Sequence, residues 1–210
     1  MSILNELSSA TGTNNQEPNI IAANKCITNP DLLEQIADGF TMKDQKLVGD
    51  CIEVFTKVSE SQPELLEPYM KYVLPLLDSK VTRIRWEAVH TIALLAEINP
   101  HIIYEIEQKL INIIESDKSI IVRDYAITAF ANLAKSNQEN ATFAFPILKH
   151  ALQVWDGRHR RPALDGLKEV AKQVPEFKEE LLGIAESYLE DPKGVVKKSA
   201  KALIRATELS

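Results

Sequence analysis

Four stretches of the chain line up on one another at intervals of 37–38 residues, and this repetition constrains the fold more than any other feature. Arg85, Arg123, Arg160 and Lys197 share one column, and Ala88, Ala126, Ala163 and Ala200 share the column three places on. Ile92, Phe130, Leu167 and Ile204 follow, then Leu95, Leu133 and Val170, then Ala96, Ala134 and Ala171. A fainter copy upstream places Cys51, Phe55 and Val58 in the same columns. Spacings of three and four put these residues on one stripe of a helix.

The punctuation repeats as well. Pro63, Pro100 and Pro175 fall in one column, with Gln138 where a fourth proline would stand. Each opens a second helix, because a first-turn residue has no intrahelical use for the N–H that proline lacks. Asp78, Asp117, Asp156 and Asp191 mark the turn that follows, where aspartate caps a helix or builds the turn. One helix of about 17 residues is marginal in water. It becomes stable when its stripe meets its partner helix and the next copy, so a period holding two helices predicts a helical-hairpin solenoid. The alanines let the first helix approach its neighbour, and each buried Leu, Ile or Phe beyond them contributes roughly 1.5–3 kcal/mol.

The segments DSKVTRIRWEAVHTIALLAEINP, SDKSIIVRDYAITAFANLAKSN, DGRHRRPALDGLKEVAKQVPEF and DPKGVVKKSAKALIRATELS carry a further likeness. Helix A, a turn, helix B and an Asp-containing turn lead into x-V-R-x-x-A, and this unit resembles a HEAT repeat over roughly residues 43–209. The resemblance implies an all-α, right-handed α-α superhelix, HEAT-like or armadillo-like, of about five hairpins with B helices on its concave face. Helices are expected near 43–60, 64–77, 81–97, 101–115, 119–136, 139–154, 160–173, 176–190 and 194–208.

On this reading residues 1–17 form a flexible segment, in which MSILNELS leaves room for a short capping helix. Residues 18–210 are a single repeat domain, divided into a degenerate repeat 18–42 broken at Pro30, then 43–79, 80–117, 118–156, 157–191 and a capping helix in 192–210. Lys198, Lys201 and Arg205 of that last helix are expected to face water. The ladder of Arg85, Arg123, Arg160 and Lys197 is expected to reach the turns of Asp78, Asp117, Asp156 and Asp191, tying repeats together by charge-assisted hydrogen bonds.

Charge narrows the function classes. The net charge is −6, but residues 1–105 hold 8 Lys and Arg against 15 Asp and Glu, and residues 106–210 hold 16 against 15. An acidic chain is a poor default for wrapping nucleic acid. The start lacks a basic n-region, with Lys25 the first cation, and no stretch has the apolar length of a membrane span. Cys26 and Cys51 form no CxxC pair and read as small buried thiols, which places the protein in the cytoplasm.

No catalytic pattern emerges. The histidines, His90, His101, His150 and His159, form no HExxH and no Cys/His cluster, so no metal and no cofactor are expected. Deoxyhypusine hydroxylases share a similar scaffold but depend on His-Glu dipeptides, whereas these histidines precede Thr91, Ile102, Ala151 and Arg160. GxSxG, P-loop and GxGxxG motifs are missing, and the carboxylates scatter along helical faces as solvated groups do. The other class to weigh is nucleic-acid binding or base repair through the more basic second half. Trp86, Trp155 and RIRWEA faintly resemble alkylpurine DNA glycosylases of the AlkD type, but no long basic stripe accompanies them.

The most unusual stretch is VWDGRHRRPALDG (154–166). It crowds Arg158, His159, Arg160 and Arg161 beside Trp155; His159 stands where Ile84, Val122 and Val196 do, and Pro162 replaces Glu87, Tyr125 and Ser199. One reading is an irregular turn with solvated arginines and a tryptophan covering core, which the ordinary fate of turn arginines favours. The other is an exposed aromatic-and-arginine anchor for a partner, since Trp and Arg are enriched among interface hot spots. On the B helices, Lys71, Gln108, Asn112, Lys149, His150 and Glu186 would look into the groove, with Phe143 and Phe145 near it. The expectation is a non-enzymatic scaffold or adaptor that binds another protein or peptide on its concave surface. Trp155, Arg158, His159, Arg161, Lys149 and His150 are the candidate contacts, and neither membrane nor small-molecule cofactor takes part.

Overall fold

The computed structural model describes residues 2–209, and its internal contacts cluster into two compact units, Met1–Leu95 and Ala96–Ser210. Every regular element among the described residues is helical.

In the first unit the spine is Gln45–Ser59, whose residues Val48–Thr56 are all buried. Asp44 caps it by accepting from the Lys46 amide at 2.9 Å. Glu17–Thr28, Leu32–Asp38 and Thr82–Leu95 complete the longer helices of this unit. The expected helix over 64–77 is instead a single α turn, Met70–Val73, between 3-10 pieces Pro63–Tyr69 and Leu74–Asp78. Pro68 and Pro75 are the cause: each removes an amide donor and crowds the carbonyl four residues back, so the chain tightens to i→i+3 bonding.

At the N-terminus, Ile3 and Leu7 carry the packing, while residues 10–17 are exposed. Ile3–Glu6 is a 3-10 turn and Ser8–Thr11 a short α turn, and Ile3 and Leu7 are buried. The Ser8 amide donates to Asn19 Oδ1 at 3.0 Å, and the Ser9 amide to Asp50 Oδ2 at 2.7 Å. Asp50 and Glu53 are both buried, and the Arg83 guanidinium bridges them at 2.9 and 2.7 Å. Asn19 Nδ2 donates to the same two carboxylates.

Asp50 of this cluster and His90 both draw stability away from the unit as pH falls, against buried Glu87, whose pKa burial raises. Burial drives the His90 pKa down to about 4, so the unfolded chain takes up that proton first and stability is lost as pH falls from about 6.5 toward 4. Burial alone would raise the Asp50 pKa, but hydrogen bonds from Ser9, Asn19 and Arg83 outweigh it and hold the carboxylate below its usual range. Its contribution is complete above the ordinary aspartate pKa and disappears below about pH 4. Melting followed across acid pH should therefore fall in two stages. His90→Gln should flatten the upper stage and Asp50→Asn the lower; parallel curves for all three proteins would contradict the assignment.

In the second unit the A helices are Ile120–Ser136, Arg160–Gln173 and Gly194–Leu209. Ala126, Ala163 and Ala200 have no exposed surface, and Phe130, Leu133, Leu167 and Val170 are equally buried. Lys198, Lys201 and Arg205 are exposed. The B elements are Pro100–Glu105 with Glu107–Ser116, Gln138–Ala151, and Lys178–Glu186 after a 3-10 turn at Pro175–Phe177. Where the proline column lapses at Gln138, Asn137 caps the helix by accepting from the Asn140 amide at 2.8 Å. Gly166 sits where a Cβ would fall 2.7 Å from Leu148 Cδ2 and 3.0 Å from the Ala131 Cβ, so the crossing of three helices is close only because no side chain is there.

Candidate functional site

The stretch 154–166 does not form one patch; the structure sends its residues three ways. The reason lies at Trp155 and Asp156, whose φ angles are 52° and 54°, followed by Gly157 at 70°. Three successive left-handed residues reverse the chain, and two of them carry side chains that rarely adopt this conformation. A Cβ at position 157 would also run into the Arg160 guanidinium.

What holds the turn is Arg123, 1% exposed. Its guanidinium carbon lies 3.8 Å from the centroid of the Trp155 ring, and its Nη1 donates to the Asp117 carbonyl. The Trp155 indole N–H donates to the Ile114 carbonyl at 3.1 Å. Arg123 Nε donates to His159 Nε2 at 2.8 Å, while His159 Nδ1 lies 2.6 Å from Asp124 Oδ1. Since arginine only donates, Nε2 must be the bare nitrogen and Nδ1 must carry the hydrogen that Asp124 accepts. His159 is thus a core residue and not a partner contact, with no exposed surface, like Val122 of the same column. Trp155 keeps one exposed edge, 38% of its surface, but a ring face is already covered by Arg123.

The ladder residues reach their turns by different acceptors. Arg160 Nη1 bonds Asp191 Oδ2 at 2.8 Å, and its guanidinium lies 5.5 Å from the Tyr188 ring centroid. Arg85 Nη1 donates to the Ser79 carbonyl at 2.8 Å, and Arg123 Nη1 to that of Asp117, so backbone oxygen of the turn is an acceptor at both rungs. Lys197 Nζ lies 3.3 Å from Glu190, Asp78 is exposed, and Asp156 is held in the left-handed turn.

Lys149 and His150 belong to a different surface, the B-helix face. They border a cavity of about 420 Å³ whose floor is Pro146, Leu152, Ile184 and Tyr188. Lys149 Nζ pairs with Glu180 at 2.5 Å, His150 Nε2 lies 3.2 Å from Glu115, and Gln153 Nε2 donates to Tyr188 Oη at 3.3 Å. Polar links between successive B elements therefore fix the rim while the floor stays apolar. Phe143 packs edge-on against Tyr104 at 4.7 Å and Phe145 stacks on Phe177 at 4.4 Å, so both aromatics serve the packing between repeats. Ile184 and Tyr188 escaped the sequence reading; their only signal was their place on, and two residues after, the next B element, Lys178–Glu186.

Arg158 and Arg161 turn to the A-helix side, where they border a groove of about 880 Å³ with Lys135, Lys168 and Lys193. No group of three or more His, Cys, Asp or Glu suited to a metal occurs among the described residues. No helix among them is long and apolar enough to cross a membrane.

No protein-family model matches the chain, and no curated protein does. Solved structures do. A designed armadillo repeat protein in complex with the peptide (KR)4 is 20% identical, with 89% of this chain and 85% of that one covered at a TM-score of 0.71. An engineered protein matches over the whole of both chains at 17% identity and a TM-score of 0.73. Computationally designed armadillo repeat proteins for modular peptide recognition match at 19% identity, 97% and 98% coverage and a TM-score of 0.65. At such identities the likeness speaks for architecture: the fold is an all-α repeat solenoid of armadillo-like type.

Proposed function

We propose that this chain is a non-enzymatic scaffold that binds a segment of another protein along its B-helix face, with Lys149 and His150 at the centre of recognition. The observation that carries this reading is the cavity beside them, whose size and apolar floor suit one aliphatic or aromatic side chain of a bound segment. The rim pairs Lys149–Glu180 and His150–Glu115 give that segment orientation more than affinity. Two structural neighbours are described by peptide binding or peptide recognition, which is in keeping with this use of the fold. The repeats are read as HEAT-like on their x-V-R-x-x-A openings and the face as the concave one. The setting is cytoplasmic, on two free buried thiols, Cys26 and Cys51, that burial pushes up to about 12.

Selection from a random peptide library tests the proposal. Binders should share one large apolar residue, and Ile184→Asp with Tyr188→Ala should weaken them by roughly 10- to 100-fold, as loss of a buried anchor does. Binders that ignore both changes would move recognition elsewhere.

A further inference from the structure

We infer a second docking surface in the groove along the A helices of the Ala96–Ser210 unit, one that takes an acidic, extended segment of a partner protein bearing an apolar side chain. It does not depend on the B-helix reading. Three cations at this groove, Lys135, Arg158 and Lys193, make no ion pair among the described residues. A fourth, Arg161, is 67% exposed and only 3.7 Å from its partner Asp165. Two of the groove's carboxylates are already engaged. Asp124 accepts from His159 at 2.6 Å, and Glu169 is held by Lys168 at 2.9 Å and Lys172 at 2.6 Å. Burial alone would raise the Glu169 pKa, but the two lysines lower it, so it stays ionised and bound to them.

The free charge facing an incoming chain is therefore positive, although the protein as a whole is negative. Between these cations, Ile121 and Val195 are 46% and 58% exposed, and Pro162 adds apolar surface. Cations spaced around apolar side chains complement an acidic peptide that places one hydrophobic residue among its carboxylates. A nucleic-acid backbone would ask instead for a continuous cationic track, and here Asp124, Asp165 and Glu169 interrupt it.

Fluorescence anisotropy of the full chain with a labelled peptide of glutamates around a central leucine tests the inference. Binding should weaken as salt is added. It should fall by roughly tenfold or more in Arg158→Glu/Lys193→Glu, and as much when the peptide's glutamates become glutamines, while Lys149→Glu on the B-helix face leaves it unchanged. Lys135→Glu gives the same readout independently should the double variant melt early. The inference is overturned by any of five results: no binding of the peptide to the wild type, undiminished binding in both charge-reversed variants, binding lost in Lys149→Glu, tighter binding of a random duplex DNA than of the peptide, or self-association abolished by the charge reversals, which would give the groove to a second copy.

Discussion

Replacing Arg123 with alanine should destabilise the Ala96–Ser210 unit by about 3–5 kcal/mol, the sum of a desolvated cation–π contact and the buried acceptors left without a donor. His159 Nε2, with no exposed surface, and the half-buried Asp117 carbonyl lose the hydrogens that Arg123 gives them. The left-handed turn at 155–157 loses the cation beneath its tryptophan at the same time. Denaturant unfolding followed by Trp155 emission, in a Trp86→Phe background, reads both effects. Emission should shift to the red as the indole loosens, with a lower midpoint. Arg123→Met, which refills the volume without the charge, should recover part of the loss. A midpoint unchanged in the alanine variant would show that this guanidinium is not what holds the turn.

Removing residues 1–11 should cost the Met1–Leu95 unit roughly 3–6 kcal/mol, since burial of a large aliphatic side chain is worth about 1.5–3 kcal/mol and two are lost. These are Ile3 and Leu7, at 3% and 0% exposure. The deletion also strips the Ser9 amide from Asp50, leaving Asn19 and Arg83 to satisfy two buried carboxylates. A loss of this size approaches the whole stability of a small domain. Amide hydrogen exchange in Gln45–Ser59 should speed up by orders of magnitude, and protection equal to that of the intact chain would return the segment to the status of a tail.

The contrast between A and B elements explains how much of the fold was legible beforehand. A helices expected at 119–136, 160–173 and 194–208 end within a residue of Ile120–Ser136, Arg160–Gln173 and Gly194–Leu209, because a long apolar stripe and local punctuation agree there. B elements are short and proline-bound, and their periodicity does not distinguish an α turn from a 3-10 turn, as at 63–78. At the N-terminus, composition reads SSATGTNNQ as solvated, and residues 10–16 are exposed, while Ile3 and Leu7 in MSILNELS are the residues that pack. At 154–161 the stretch was visibly irregular, and His159 in a valine column was a sign of burial. Nothing in Trp155 announces positive φ, and Asp156 followed by Gly157 is only a weak sign of it, since aspartate enters the left-handed region more readily than most residues. The sequence neighbours were therefore grouped as one patch, whereas the turn parts Arg158 and Arg161 from Lys149 and His150.

Gly166 bears on how such an array could grow. Its column is filled by Thr91, Ala129, Gly166 and Leu203 in successive copies, all buried except that the glycine has no side chain to bury. Each rung has been fitted to a different gap, so the copies are not interchangeable building blocks. Gene duplication of any one of them would insert a rung of the wrong thickness, and lengthening this protein would require the new joint to be re-tailored on both sides.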